Sequence, residues 1–292
     1  MASPLHLPAG SAARDGFDLV IAPSTSVLRY AGLRTVTLPP GGSVALPTEG
    51  VETIVVPLQG AAVVLVGGEE FSLRGRSDVF VGASDVAYVP DTAARLTSTD
   101  GGRFALCTAP LTGPSSRPAA RLAAEDVPVE RRGAGSMSRL VRNFGTVDGL
   151  GAESVIACEV ITPGGNWSSY PAHKHDESTE HEAELEEIYY YEIAAGPHGE
   201  PGLAFHRTSS SPGHEIDLTV EVHDRDVALV PSGWHGPVTP APGHDLYQLN
   251  VMAGPAPGRR WLISDHPEQA WVRATWTDLA VDPRLLDGRY GS

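Results

Sequence analysis

No apolar run in this chain extends far before a turn residue interrupts it. The runs are three to eight residues long, among them Thr53–Leu58, Ala61–Val66, Phe104–Ala109, Ser154–Ile161, Ile188–Ile193, Val227–Val230 and Leu246–Ala253. Glycine (32 residues) and proline (25 residues) are dense between them, one freeing the backbone and the other removing a donor. Short strands joined by tight turns are the expected outcome, and with them an all-β sandwich or barrel rather than a helical fold.

The runs fall into two series. Further strands are predicted over Asp78–Val81 in the first and Trp167–Pro171 in the second, and a looser stretch from Leu111 to Pro128 separates the two. The series echo one another. Asp85-Val86-Ala87-Tyr88-Val89-Pro90 resembles Asp226-Val227-Ala228-Leu229-Val230-Pro231, and Glu52-Thr53-Ile54-Val55-Val56 resembles Glu187-Ile188-Tyr189-Tyr190-Tyr191. A duplicated β-barrel accounts for this. The expected division is residues 1–118 and 119–292, with Asp265 to Ser292 packing as a terminal helix and tail.

Charge and composition exclude several partners. Thirty-six acidic residues face 21 basic ones, a net charge of −15, which opposes nucleic acid or an anionic membrane as a general partner. No run approaches the length of a membrane-spanning helix, and Met1 to Gly16 lacks the pattern of a signal peptide. The two cysteines, Cys107 and Cys158, lie far apart in apolar runs and read as reduced, buried thiols. A cytoplasmic protein is expected. Lys174 is the only lysine.

Chemistry concentrates in three segments: His173-Lys174-His175, Glu186-Glu187-Ile188-Tyr189-Tyr190-Tyr191, and Pro231-Ser232-Gly233-Trp234-His235. Side chains on a strand alternate faces, so His173 and His175 point the same way and Lys174 points to the opposite face. Glu187 shares a face with Tyr189 and Tyr191, whereas Glu186 turns the other way. Three imidazoles and one carboxylate suit a divalent transition metal with positions left open for a substrate. The first series has no His-x-His ahead of Glu52 and no histidine after Pro90, so one metal per chain is expected. The segment from Asp176 to Glu186 carries six acidic residues and His181, and reads as a solvated flap over the barrel mouth. His206, His214, His223 and His244 read as surface or supporting residues.

These motifs resemble those of the cupin superfamily, in which the corresponding residues bind a metal inside a β-barrel. The ligands so implied are His173, His175, Glu187 and His235. Two departures stand out: Glu187 follows His175 by twelve positions, and Arg225 stands where the motif carries glycine. A narrower resemblance rests on Arg142-Asn143-Phe144-Gly145, on Val160 to Pro171, on Glu186 to Tyr191, on Asp245 to Gly254 and on Trp271 to Trp276. Together these resemble the 5-deoxy-glucuronate isomerases of myo-inositol catabolism. That resemblance implies two tandem cupin barrels, the first degenerate and without metal. It also implies an aldose–ketose isomerase acting on a small sugar acid with one divalent ion, Zn or Mn before Fe or Ni. The ion would hold the C1 and C2 oxygens of the substrate. Glu187, Tyr189 and Tyr191 are the candidate catalytic residues. Arg207 is the candidate for the substrate carboxylate, and Gln248, where the family carries a second tyrosine, falls in the substrate pocket. A homo-oligomer is expected. The alternatives are an iron-dependent cupin dioxygenase and a non-catalytic cupin that binds a sugar acid.

Overall fold

The computed structural model describes residues 3–23, 26–48, 50–256 and 258–291. Among them strands dominate, with one four-residue helix, Val272–Thr275, and a few 3-10 turns. The first half is built on the long strand Val51–Val66, which bends at Gly60 (φ 85°). Before the bend it pairs with Val86–Val89 and Gly102–Pro110, and after it with Glu69–Arg76 and Ala94–Thr97. Two of the expected strands are therefore one bent strand.

The second half has two sheets. A seven-stranded sheet contains Arg139–Gly145, Ile156–Thr162, Glu186–Ile193, Val227–Val230 and Leu246–Ala253. A five-stranded sheet contains His173–Lys174, Ala204–Ser211, His214–Val222, Trp234–Pro240 and Ser264–Asp265. Two pairings cross the expected division at residue 118. His6–Leu7 pairs with Val227 and Ala228 of the second half, and Ala120–Leu122 pairs with Val86–Tyr88 of the first.

Two expected strands are absent. Asp78–Val81 is a turn in which the Asp78 carboxylate accepts the Phe80 N–H at 2.7 Å. Trp167–Pro171 makes only one bridge, Ser168 to Val238, because Ser169 sits in the left-handed region (φ 51°) and ends the extended run. Gly32–Leu38, by contrast, is a strand that the run pattern did not single out.

Face alternation sorts the side chains into separate cores. Ile54, Tyr88 and Cys107 of the first half meet Ala157, Ile188, Tyr190 and Val251 of the second in one cluster between the halves. The first barrel's interior is filled by Val36, Val55, Val64, Leu96, Phe104 and Leu106. The second barrel's interior combines an apolar cluster, with Ile193, Leu218, Val230 and Leu246, and a set of polar and aromatic side chains. There the inward positions of Glu186–Ile193 and Leu246–Ala253 are Glu187, Tyr189 and Tyr191, with Gln248, Asn250 and Met252 beside them.

The duplication shows in a reciprocal pair of clamps. Glu52 accepts the backbone N–H groups of Glu153, Ser154 and Val155 at 2.6–2.7 Å, just before Ile156–Thr162 of the other half begins. Glu186 accepts those of Arg29 and Tyr30, at 2.7 Å each, just before Gly32–Leu38. The counterpart of Glu52 is therefore Glu186. Register agrees: Thr53 pairs with Val89 ahead of Pro90, and Glu187 pairs with Val230 ahead of Pro231. The echo read from the sequence was displaced by one residue, and on a strand one residue changes the face. Thr53 therefore occupies the place of Glu187. Glu52→Ala would leave three buried or half-buried N–H groups without an acceptor. A loss of about 3 kcal/mol or more is expected, measured by denaturant unfolding.

Candidate metal centre

Local chain geometry delivers the three histidines. His173 and His175 flank Lys174 where the short strand His173–Lys174 runs between Trp234–Pro240 and Ser264–Asp265 of the five-stranded sheet, and His173 lies directly opposite His235. The ring centroids of His173 and His175 lie 4.5 and 4.6 Å from that of His235. Their ligand nitrogens all fall within 4.8 Å of one another, so the three imidazoles could hold a metal ion. Glu187 reaches them from the other sheet. Its Oε2 lies 3.1 Å from His175 Nε2 and 3.2 Å from His235 Nε2.

The donor set fits a divalent ion. His175 Nδ1 lies 2.9 Å from the Leu185 carbonyl, and His235 Nδ1 lies 2.9 Å from the Gly233 carbonyl. A carbonyl only accepts, so both Nδ1 atoms carry the proton and both Nε2 atoms present a lone pair inward. His235 Nε2 is buried, and although close to Glu187 it has no aligned hydrogen-bond partner. His175 and His235 are buried, whereas His173 is half-buried and marks the open side. In the metal-free protein, burial and then the neighbouring imidazoles push the His173 pKa well below the usual histidine value. Burial opposes ionisation of Glu187, but the imidazoles beside it outweigh that and hold its carboxyl far below the usual range.

The supporting structure explains the spacing. Gly236 has φ 97°, and a Cβ there would lie 1.9 Å from the Ser169 carbonyl oxygen, so only glycine fits after His235. Arg225 keeps the left-handed backbone (φ 66°) of the glycine it replaces.

The eleven-residue segment from Asp176 to Glu186 is not a solvated flap. Glu177 to His181 form an exposed tip, but Asp176, Glu182, Ala183, Leu185 and Glu186 are buried. Lys174 faces away from the histidines and is itself buried. It donates to Asp176 Oδ1 at 2.7 Å and to Glu182 Oε1 at 2.8 Å. Asp176 Oδ2 accepts from Ser211 and, at 2.9 Å, from the Gly233 N–H in the turn that delivers His235. Lys174→Met would strand two buried carboxylates. A stability loss of about 3–5 kcal/mol is expected by thermal or denaturant unfolding, with turnover of the folded fraction within about tenfold of wild type.

The remaining candidates separate by face. Tyr189 and Tyr191 point into the barrel, and Tyr191 Oη lies 2.7 Å from His206 Nδ1. Gln248 is buried, and neither of its amide atoms has a partner. The Asn250 amide N–H donates to Glu187, and its oxygen has no partner. Arg207 does not reach the barrel. It lies on the outward face with Phe205, donates to the Thr208 carbonyl at 2.8 Å and pairs with Asp217. His206 and Thr208 take the inward positions, linked at 2.8 Å, and burial followed by the His235 charge pulls the His206 pKa down to about 3. His206 is thus a barrel-interior residue. Its signal in the sequence was parity: it alternates with exposed Phe205.

The model of the KduI/IolB family matches residues 5–272. The chain belongs to the KduI/IolB family. It is 36% identical over 274 residues to the 5-deoxy-glucuronate isomerase of Geobacillus kaustophilus, covering 92% of this chain and 95% of that protein. It is 34% identical to the Bacillus subtilis enzyme of the same name, covering 92% and 97%. The crystal structure of an IolB-like protein from Salmonella typhimurium superposes with a TM-score of 0.82 at 32% identity, over 92% of this chain and 99% of that one. A Lactobacillus farciminis oxalate decarboxylase has a TM-score of 0.62 at 13% identity, over 91% of this chain and 89% of that one, which shows a shared fold.

Proposed function

We propose that the protein is an aldose–ketose isomerase converting 5-deoxy-D-glucuronate to 5-dehydro-2-deoxy-D-gluconate. Its centre would be one divalent ion per chain, Zn or Mn, held by His173, His175, Glu187 and His235 in the second barrel. The buried convergence of these four donors carries the reading, in a chain whose relatives bear that isomerase name across most of their length. A Bacillus subtilis oxalate decarboxylase, a structural neighbour with a TM-score of 0.55, is described as having Mn(II) centres.

When bound, such an ion supplies Lewis-acid polarisation of the substrate's carbonyl and adjacent hydroxyl. The side chains supply the rest. Isomerisation moves a hydrogen from C2 to C1 and the hydroxyl proton from O2 to O1, and Tyr189, 6.2 Å between ring centroids from His235, is placed to hold or hand on a proton beside the reacting carbons. Tyr191, His206 and Thr208 form a hydrogen-bonded row on the inner wall that keeps both tyrosines in register. Gln248 offers one donor and one acceptor to sugar hydroxyls. Cys158, Val160 and Met252 close the wall against water.

The test is incubation of the purified, metal-assayed protein with 5-deoxy-glucuronate, followed by NMR. Appearance of the 2-deoxy-5-keto acid is expected. A protein that binds the acid and returns it unchanged would refute the activity.

A further inference from the structure

Among the described residues three arginines are buried: Arg76, Arg139 and Arg142. Arg76 and Arg142 each hold Glu159. Arg139 has no carboxylate within 4.0 Å; its one hydrogen bond is from Nη1 to the Met137 carbonyl at 3.1 Å. A buried cation without a counter-ion is costly, and a ligand anion is what would relieve it.

Its place in the fold says which ligand. Arg139 alternates with Val141, which packs in the second barrel, while Leu140 lies in the core between the halves. It lies opposite Arg132, which stacks over Trp261 at 5.4 Å, and Trp261 packs on the barrel cluster of Val141, Cys158 and Met252. Arg139 and Arg273 stack on Trp276 at 5.5 and 5.1 Å. Arg273 pairs with Asp265, whose residue lies opposite His173, the candidate ligand on the open side. The turn before Arg139 is tied to the segment leading to that histidine. Ser136 and Ser138 carbonyls accept from the Trp167 N–H (2.7 Å) and the Asn166 amide (3.0 Å). Both indole N–H groups, Trp261 Nε1 and Trp276 Nε1, are buried without an acceptor.

We propose that Arg139, with the Trp276 and Trp261 indole N–H groups, is the anchor for the substrate's carboxylate. This rests on the isomerase reading for the identity of the acid, but not for the existence of an anion site. A carboxylate here gains a charge-assisted bond from a guanidinium that has no carboxylate within 4.0 Å, plus two neutral donors. Burial, then the charges of Arg132 and Arg273, pull the Arg139 pKa down to about 9; the nearby Glu130, itself paired with Arg132, offsets this only in part. Arg207, paired with Asp217 on the outer face, cannot do this.

The test compares Arg139→Gln and Arg139→Lys with wild type. Three probes are used: 5-deoxy-glucuronate, the neutral 5-deoxy-glucose, and D-gluconate, an acid with no carbonyl to isomerise. For Arg139→Gln, KM for 5-deoxy-glucuronate and calorimetric Kd for gluconate should both rise roughly thirty- to a hundredfold. Turnover, metal content and use of the neutral sugar should stay within about threefold, and Arg139→Lys should recover part of the loss. Unchanged gluconate binding, or equal losses for acid and neutral sugar, would overturn the assignment even if the wild type isomerises. Arg139-dependent gluconate binding by a wild type that isomerises nothing would uphold the anion site and defeat the isomerase reading. Should Arg139→Gln not fold, Trp276→Phe decides: gluconate binding must weaken at least about threefold with the neutral sugar unaffected, and no change overturns the proposal.

Discussion

Protein carrying His235→Ala should be isolated nearly free of metal and should isomerise 5-deoxy-glucuronate at least about a thousandfold more slowly, roughly 4 kcal/mol of barrier. His235 is the point where the proposed centre is held together. Its ring lies within 4.6 Å of both other imidazoles, its Nε2 is 3.2 Å from Glu187, and its Nδ1 is fixed by the Gly233 carbonyl. No other histidine can move in: His206 is engaged at both nitrogens by Tyr191 and Thr208. Elemental analysis and the NMR assay check the result. A variant that keeps a full equivalent of metal and near-native turnover would remove His235 from the centre.

A large stability effect is expected at Glu159. Its carboxylate accepts from Arg76 of the first half and, at 3.0 Å, from Arg142 of the second, while the Tyr247 hydroxyl donates to it at 3.2 Å. Arg142 also donates to the Val79 and Tyr290 carbonyls, so the group ties together both halves and the C-terminal tail. Glu159→Ala leaves two buried guanidinium groups without their carboxylate. A loss of about 3–5 kcal/mol is expected by denaturant unfolding, with the half-buried, outward-facing Arg207→Ala as the control at about 1 kcal/mol or less. An equal, small change in both variants would mean that Glu159 is replaceable by water or by another acid.

Much of the site was legible because it is local. His-x-His on a strand, a glutamate opening the Tyr189–Tyr191 face and a histidine after a Pro-x-Gly turn each depend on a few neighbouring residues and on two-residue alternation. The structure brings those four side chains to one place. What was misread was mostly parity. Arg207 was singled out as a fork for a carboxylate, but it shares the outer face with exposed Phe205, and the adjacent His206 points inward. The same single-residue displacement matched Glu52 with Glu187 instead of Glu186. Other features depend on partners far along the chain. The acidic insertion looked solvated because nothing local says that Asp176 and Glu182 close on Lys174. Arg139 stood in no motif; only the folded barrel shows a buried guanidinium stacked on Trp276 with no carboxylate within 4.0 Å.

The central claim is that a single metal equivalent in the second barrel carries the isomerase activity. It is tested by stripping the protein of metal with a chelator, reloading it stepwise with Zn or Mn, and following turnover of 5-deoxy-glucuronate by NMR against metal per chain. Activity is expected to be absent in the stripped protein, to rise linearly to one equivalent and to stay flat beyond it. Full activity without metal, or a rise that continues to two equivalents, would contradict the account.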